Sequence, residues 1–590
     1  MKERYEIEEK FKWDLSKFCK NDEEFYEKLD KANKKLEKIK SFEGKLSDDN
    51  VLFEYLEFTS NLEEELCFAS YAFFKQCENM ADRKANDMSE KLNLFATKLN
   101  TATTAVEAEI EKFSVEKLKK LQKDERFKNY IRYFGSIIRH KKHILSKKEE
   151  LLLAKLSESM GGASETFDKF SDADLKFDNI KDKDGKEHEF SSSKYSIFVE
   201  SQDRTLRKNA FKQMNGKYGE FINFVSTNYI NNIKEDCVLA KLRKYNSALE
   251  SSIFNEEAST NVYNMLIKKV RENVPLLERY FEIQRKMLGL EKMAIYDVFA
   301  PVVKEFNKKF SYDEAIEIIK NACSVLGEDY VNLIQRAKDE RWIDVFPNKN
   351  KTSGAFSSGS KGATPVVLMN FEGTLSSVFT LAHELGHAMH TYYSNENQPI
   401  QTSNYVIFVA EVASTVNEML LLRYLLNNAK TDSEKMCYYN YFLVQVRTTI
   451  FRQTMFAEFE QKVHEAYEKE IPLSADFLCE TYEELNNFYY GKNVEQIDEM
   501  KYEWARIPHF YNSFYVYKYA TGLISAIKIS NNILSDNSFV LNYKKFLSAG
   551  SSKDPISLLK IADCDLEDEN TFDNAFKTCE DFIEKWEKLI

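Results

Sequence analysis

Residues that interrupt helices are scarce in this chain. It has only 17 glycines and 8 prolines in 590 residues, and the first proline is Pro275. Proline breaks helices most strongly, so long helices are permitted throughout the stretch that precedes it. The nine cysteines are odd in number and form no CxxC pair. We therefore expect neither a disulfide framework nor a cysteine zinc site. This distribution of cysteines is typical of a protein in a reducing compartment.

Long apolar runs and an excess of basic residues are also missing. No stretch approaches the roughly 18 apolar residues of a membrane span, and the N-terminal segment MKERYEIEEKFKWDLSKF is charged throughout. We therefore expect no membrane partner, no secretory signal and a cytoplasmic location. The chain has 83 basic and 95 acidic residues, a net charge of −12. Because nucleic acid binding needs a basic face, no nucleic acid partner is expected.

Helical periodicity dominates the chain. From about residue 22 to 169, apolar residues recur at three- and four-residue intervals amid Glu and Lys. Pro275 is expected to start or kink a further helix, and the chain after Thr374 again has a helical pattern. The sequence predicts a mainly α fold.

Two polar, glycine-containing segments are predicted to be loops. Residues 181–196, with room for a short hairpin, separate an N-terminal helical region (1–195) from the rest of the chain (196–590). Residues 348–365 form the second loop. It is followed by VVLMNF, residues 366–371, a β-branched and apolar run that predicts a strand.

The segment FTLAHELGHAMH contains candidate metal-binding and catalytic residues. His383 and His387 are four residues apart, so a helix places both imidazoles on one face, where they can bind one ion. Glu384 then lies close enough to contact a water on that ion. This is the HExxH arrangement of zinc peptidases. His390 lies farther along the helix axis, and we expect it to be structural.

A catalytic zinc ion usually has three protein ligands and an open fourth position. The following segment, YVIFVAEVASTVNEMLLLRY, offers Glu411 and Glu418 in apolar surroundings. They are seven residues apart and lie on nearly one helical face, so periodicity does not separate them. We expect one to bind the metal and the other to orient a ligand histidine.

These motifs resemble the oligoendopeptidase F family of zinc metallopeptidases, relatives of thimet oligopeptidase. The resemblance covers essentially the whole chain. Besides HELGH and AEVAST, it includes the segments KWDLSKF, ESQDRTLRKNAF, LGLEKMAIYDVFAPVV, FPNKNKTSGAFSSGSKGATPVVLMNFEG and RIPHFYNSFYVYKYATG. It implies a two-lobed helical metallopeptidase with a deep substrate channel and a small β-sheet beside the HExxH helix. The implied activity is cleavage of internal bonds in short peptides.

The resemblance also implies the roles of individual residues. Glu411 becomes the third ligand of one zinc ion per chain, after His383 and His387, and Glu384 the general base. In the family, a histidine and tyrosines of the RIPHFYNSFYVYKYATG region hold the substrate and stabilise the oxyanion. His509 and Tyr515 are the matching candidates here. The reserve tyrosines are Tyr511, Tyr517 and Tyr519, and the spacing of four places Tyr511, Tyr515 and Tyr519 on one predicted helical face.

Two further expectations concern the segment before the HExxH helix. In peptidases of this kind an edge strand there pairs with the extended substrate, and we assign that role to residues 366–371. A buried strand without a ligand is the alternative. The preceding loop is either a mobile flap or a solvent loop.

The predicted function is zinc-dependent hydrolysis of short oligopeptides at internal bonds. One alternative is a helical metallocarboxypeptidase, which would need a cationic residue for the terminal carboxylate of its substrate. A second alternative is a catalytically silent peptide-binding protein that has kept the scaffold. The intact set of His383, Glu384, His387, Glu411 and His509 argues against the silent protein.

Overall fold

The computed structural model describes residues 2–303 and 308–590. It is 71% helical, and its strands are only two or three residues long. The predicted mainly α fold is thus confirmed. Among the described residues, no helix combines the length and the apolar composition needed to cross a bilayer.

Twenty-six α-helices lie in the described parts of the chain. The helices before residue 304 are α1 (Asp22–Lys40), α2 (Asp49–Glu65), α3 (Ser70–Glu78), α4 (Arg83–Glu107), α5 (Val115–Leu121), α6 (Ile131–His140), α7 (Lys147–Leu156), α8 (Gly162–Asp168), α9 (Tyr195–Val199), α10 (Arg204–Glu220), α11 (Ile222–Leu242), α12 (Ala248–Phe254), α13 (Thr260–Glu272) and α14 (Val274–Met287). The helices after residue 307 are α15 (Tyr312–Ala322), α16 (Glu328–Asp339), α17 (Leu375–Asn397), α18 (Ile400–Ser403), α19 (Ile407–Asn428), α20 (Asp432–Gln445), α21 (Arg452–Glu468), α22 (Ala475–Tyr490), α23 (Tyr517–Ser535), α24 (Ser538–Leu547), α25 (Pro555–Ile561) and α26 (Glu569–Glu587).

Seven short strands accompany these helices within the described residues. They are β1 (Ile180–Lys181), β2 (Glu187–His188), β3 (Met293–Ala294), β4 (Ile343–Asp344), β5 (Phe356–Ser358), β6 (Val366–Leu368) and β7 (Val494–Glu495). Strands β1 and β2 form the short antiparallel hairpin for which the first loop has room. Pro275 lies in the first turn of α14, where its missing N–H has no helical partner to lose.

The chain divides into two compact units, each made of three segments. Unit 1 consists of Met1–Lys141, Asn307–Leu425 and Ile529–Cys564, and unit 2 of Lys142–Phe306, Leu426–Lys528 and Asp565–Ile590. The predicted boundary between residues 195 and 196 is a different division of the chain and stays a prediction.

A three-stranded sheet lies in unit 1, in the order β4-β6-β5. The central strand β6 is parallel to β4 and antiparallel to β5. Val366 and Leu368 belong to the apolar core that is formed mainly by α1 to α6. Successive side chains of a strand point to opposite faces, so Val367 faces the other side, and α17 contacts both β5 and β6.

The prediction of an edge strand at residues 366–371 is wrong in this respect. Strand β6 is shorter, Val366–Leu368, and is paired on both sides. The predicted loop contains the unexpected strand β5, which lies at one edge of the sheet. At the other edge, the N–H of Val345, next to β4, donates to the carbonyl of Phe11 at 2.9 Å. The open edge of this sheet, within the described residues, is therefore that of β5.

Side-chain contacts of two lysines anchor the segment around β5. The Lys351 side chain is fully buried; its ammonium group contacts the Asp344 carboxylate at 2.6 Å and donates to the Phe346 carbonyl at 2.8 Å. Farther along, the Lys361 ammonium donates to the carbonyls of Asn395 and Gln398 at the end of α17. These bonds attach both ends of the predicted loop to the sheet and to the helix that carries the HExxH motif.

Candidate active site

Helix α17 presents the HExxH histidines as predicted. It begins after Thr374, whose hydroxyl accepts a hydrogen bond from the N–H of Ser377 at 3.1 Å, a normal N-terminal cap. His383 and His387 lie one turn apart, and their Nε2 atoms are separated by 3.2 Å.

Glu411 of α19 completes a triangle of donor atoms with these histidines. Its Oε2 lies 3.2 Å from Nε2 of His383 and 3.4 Å from Nε2 of His387. The centre of a triangle lies at its mean side divided by √3 from each corner, here about 1.9 Å, slightly less than the 2.0–2.1 Å of a zinc–nitrogen bond. The spacing would let one cation contact all three donor atoms, so the residues fit a metal ion.

Glu418 contacts the other side of the His383 ring. Its Oε1 lies 2.6 Å from Nδ1 of His383, whereas the donor triangle uses Nε2 of that ring. A carboxylate in this position fixes the orientation and tautomer of a ligand histidine. The geometry thus favours Glu411 as the ligand and Glu418 as the residue that orients His383, a choice that periodicity left open.

A close approach of α17 and α19 brings these side chains together. A Cβ atom added to Gly386 would lie 2.5 Å from the Cα atom of Ser414 and 2.7 Å from the carbonyl oxygen of Ala413. Only glycine allows this approach without displacing one helix. The Asn417 amide fastens α19 to α17 by donating to the Ala382 carbonyl at 3.2 Å, and it accepts from the Tyr330 hydroxyl at 2.9 Å.

The electrostatics of the site favour positive charge. Burial by itself would lower the pKa of His383, but Glu411 and Glu418 raise it to about 10 through hydrogen bonds and charge. Burial opposes ionisation of Glu411, yet the two histidines bring its pKa well below the usual range. The two carboxylates beside the two imidazoles thus favour positive charge at this position.

Glu384 is a buried carboxylate with an uncommitted oxygen. It is 6% exposed, and its Oε2 has no hydrogen-bond partner in the described part of the chain. Burial raises its pKa, while the neighbouring histidines act in the opposite direction. A carboxylate with a raised pKa and a free oxygen is suited to accepting a proton.

His390 lies outside the donor triangle. It is 1% exposed, and its ring stacks on Tyr405 with the centroids 3.7 Å apart. Burial lowers its pKa to about 3, so the ring is neutral. The structure thus places His390 in the packing of α17.

His509 and its tyrosines lie in unit 2. The ring centroid of His509 is 6.5 Å from that of Tyr515 and 6.1 Å from that of Tyr519. The two tyrosine rings meet edge to face at 5.5 Å. Partial burial lowers the pKa of His509, which favours the neutral imidazole. The structure thus brings the first-choice tyrosine and one of the reserves beside His509.

The predicted helical face through Tyr511, Tyr515 and Tyr519 is wrong. Residues Pro508–Tyr511 form a short 3₁₀ turn, Phe514 has a positive φ of 61°, and α23 begins only at Tyr517. A left-handed residue interrupts a right-handed helix, so periodicity does not continue across it. Tyr511 stacks on Phe167 instead.

Tyr517 is also engaged elsewhere. It is fully buried, and its hydroxyl donates to the Glu256 carboxylate at 3.1 Å. Burial and that carboxylate raise its pKa well above the usual value. Together with the stacking of Tyr511, this leaves Tyr515 and Tyr519 as the tyrosines that accompany His509.

Sequence reasoning missed two residues that support the site. Gly386 sits at the x position of HExxH next to the second histidine, and its role depends on how closely another helix approaches. Asn417 was visible as an amide in the apolar run of α19, a signal that a buried hydrogen-bond partner is needed.

Comparison with known families identifies the chain. The model of Peptidase family M3 matches residues 197–578, and that of Oligopeptidase F matches residues 109–177. The chain belongs to peptidase family M3. The predicted resemblance to oligoendopeptidase F is thereby confirmed, and the chain is a metalloendopeptidase of the kind that cleaves oligopeptides.

Relatives match this M3 peptidase along all or nearly all of its length. Oligopeptidase PepF of Bacillus subtilis is 36% identical over 593 residues, which cover 100% of this chain and 88% of that protein. A crystal structure from Chlamydophila abortus is 32% identical, covers 100% of both chains and has a TM-score of 0.95. The crystal structure of oligoendopeptidase-F from Enterococcus faecium is 30% identical, covers 96% of this chain and 99% of that one, and has a TM-score of 0.73.

Proposed function

We propose that this chain is a zinc-dependent endopeptidase that hydrolyses internal bonds of short oligopeptides, with one Zn²⁺ per chain. The triangle formed by His383, His387 and Glu411 carries this proposal. Two imidazoles and one carboxylate form a donor set of catalytic zinc sites, in which the fourth position stays open. A bound Zn²⁺ would supply Lewis acidity toward the scissile carbonyl and a lowered pKa for the attacking water.

Glu384 is the general base in this proposal. Its Oε2 takes a proton from the water whose oxygen attacks the carbonyl carbon of the scissile bond. When the carbon–nitrogen bond breaks, the same oxygen delivers that proton to the leaving amine. The burial of Glu384 supports this role, because a raised pKa makes its carboxylate a stronger base toward the attacking water.

His509 and Tyr515 are proposed to donate hydrogen bonds to the oxyanion, with Tyr519 as the second tyrosine. Donors aimed at developing negative charge are usually the largest single contribution to catalysis of acyl transfer. The neutral imidazole of His509 still carries one N–H, and a tyrosine hydroxyl donates at any pH below its pKa. The packing of these three rings against one another supports a shared role.

The open edge of β5 is the proposed binding site for the extended substrate backbone. The N–H of Val367 in β6 points to β4, where it donates to the Trp342 carbonyl at 2.8 Å. The backbone groups of Val366 and Leu368 therefore point to β5, opposite Ser358 and Phe356. It follows that the N–H and carbonyl of Ser357 face the open edge. A peptide added there would bond mainly through its backbone, which suits substrates of varied sequence.

Replacing Ser357 with proline tests this edge. Proline removes the outward N–H without removing a bond between β5 and β6, and edge strands tolerate it. Loss of one hydrogen bond to substrate should raise KM roughly 2- to 12-fold while kcat stays within about twofold. Steady-state kinetics on a quenched peptide measures both. Ser357→Ala is the matched control, since it keeps the N–H, and an equal effect of both substitutions would contradict the pairing.

Cleavage products separate the proposed activity from its alternatives. The purified protein is incubated with an internally quenched decapeptide before and after removal of metal by a chelator, and the fragments are identified by mass spectrometry. We expect internal cuts that stop on chelation and return with Zn²⁺. Stepwise loss of C-terminal residues would favour a carboxypeptidase. Binding without cleavage at every metal concentration would favour the silent peptide-binding protein.

Short peptides are the proposed partners, and a cytoplasmic location is proposed for the enzyme. The net charge of −12 supports the view that neither nucleic acid nor a membrane surface is a partner. Nothing in the arrangement of the described residues favours a second function.

A further inference from the structure

The turn before α23 has an unusual backbone for its residue type. Phe514 has a positive φ of 61° and is only 2% exposed, so a bulky buried residue takes up a left-handed conformation. Such a conformation is unfavourable for any residue with a Cβ atom and persists only where the surroundings hold it in place. Non-glycine residues of this kind cluster at functional sites. Tyr515 is the next residue in the chain.

A buried carboxyl group holds this turn. Glu460 of α21 is 0% exposed, and its Oε1 accepts a hydrogen bond from the N–H of Phe514 at 2.9 Å. Burial raises the pKa of Glu460 well above its usual value. Its Oε2 has no hydrogen-bond partner among the described residues. Burying a carboxyl group is unfavourable, so stability alone is a poor reason for placing one here.

The residue before Phe514 is held as well. The hydroxyl of Ser513 donates to the Asp236 carboxylate at 2.7 Å, and the backbone carbonyl of Ser513 accepts from the Ser252 hydroxyl at 2.9 Å. The ring of Phe514 lies 4.6 Å from that of His464, between centroids. The turn is thus held at two successive residues, and Glu460 accepts the buried hydrogen bond from the N–H of the left-handed residue.

We propose that Glu460 is a positioning residue for the M3 peptidase reaction. By holding the N–H of Phe514, it keeps the left-handed turn that directs Tyr515 back against His509. Without that turn the segment could continue as helix into α23, and Tyr515 would leave the histidine. This inference rests on the proposed role of His509 and Tyr515 in the reaction.

Two substitutions at Glu460 separate positioning from bulk packing. Glu460→Leu removes the acceptor, and a displacement of catalytic groups of about 1 Å is expected to lower kcat about 10- to 100-fold with KM within about twofold. Glu460→Gln keeps a carbonyl oxygen for the Phe514 N–H and should retain kcat within about threefold. Glu465→Leu on the same helix is the matched control, because its side chain is 43% exposed.

A double-mutant cycle with Tyr515→Phe shows whether Glu460 acts through the tyrosine. If it does, adding Glu460→Leu to Tyr515→Phe lowers kcat much less than it does in the native chain. Full additivity would overturn the proposal, as would equal losses for Glu460→Leu and Glu460→Gln. Bound zinc per chain and near-UV circular dichroism confirm that each variant is folded.

A milder variant keeps the test valid if Glu460→Leu fails to fold. Ser513→Ala removes the hydroxyl bonds to Asp236 and Asn232 but keeps the backbone of the turn and Glu460. It should lower kcat roughly 2- to 10-fold, again with much less effect in the Tyr515→Phe background. An unchanged kcat would overturn the proposal. If His509→Ala and Tyr515→Phe both leave kcat unchanged, the proposed function of these residues fails instead. If they lower kcat while Glu460→Leu does not, Glu460 alone is excluded.

Discussion

Glu384→Gln is expected to lower kcat about 10²- to 10⁴-fold, the usual contribution of a general base, while KM changes little. The amide has the shape of the carboxyl group but does not accept a proton from water at neutral pH. The buried, uncommitted Oε2 of Glu384 is the oxygen lost. Zinc content should stay at one ion per chain, since Glu384 is not in the donor triangle. Stopped assays on a quenched peptide, with metal analysis of the same sample, measure both quantities.

Glu396→Gln provides the control for this substitution. Glu396 is exposed and lies on the same helix, α17, about three turns from Glu384. Its replacement by glutamine removes the same negative charge. Its kcat should equal that of the native chain. Retention of full activity in Glu384→Gln, with zinc bound, would exclude Glu384 as the base and would leave the metal site itself intact as a proposal.

The local part of the site was predictable because helices are local structures. Because an α-helix has 3.6 residues per turn, the spacing of four places His383 and His387 on one face of α17. The polar, turn-forming composition of residues 181–196 likewise indicated a loop with room for the hairpin β1–β2, and Pro275 marked the start of α14. In each case the residues that decide the structure are neighbours in sequence.

The predictions that were wrong concern structure that depends on contacts between distant segments of the chain. Strand β5 is three residues long and has too few side chains to show alternation, so its pairing with β6 was not predictable. The break at Phe514 depends on a carboxyl group of α21, 54 residues earlier in the chain. The spacing of four therefore indicated a continuous helix where tertiary contacts impose a left-handed residue.

The assignment of Glu411 and Glu418 was only partly predictable from the sequence. Both carboxylates lie on nearly one face of α19, and both reach His383, one at each ring nitrogen. In the packed helices, which approach closely at Gly386, Glu411 is the carboxylate that faces both histidines. That distance between helices is a property of the packed fold, so the sequence predicts the pair but not the assignment within it.

Loss of zinc should therefore be more severe in Glu411→Ala than in Glu418→Ala. Removing Glu411 takes away one of three donor atoms, and we expect zinc affinity to fall by more than about 100-fold. Removing Glu418 frees the Nδ1 side of His383 and should weaken zinc binding about 10- to 100-fold, the usual effect of a residue that orients a ligand. Competition with a chromophoric chelator, followed by metal analysis, measures both affinities.

Glu418→Gln sharpens this comparison. The amide oxygen of glutamine still accepts a hydrogen bond from Nδ1 of His383, so zinc affinity should recover most of what Glu418→Ala loses. Glu411→Gln should recover little, because a neutral amide oxygen is a weaker zinc ligand than a carboxylate. The reverse order, with zinc lost from Glu418→Ala but kept in Glu411→Ala, would mean that the two carboxylates exchange roles when the cation binds.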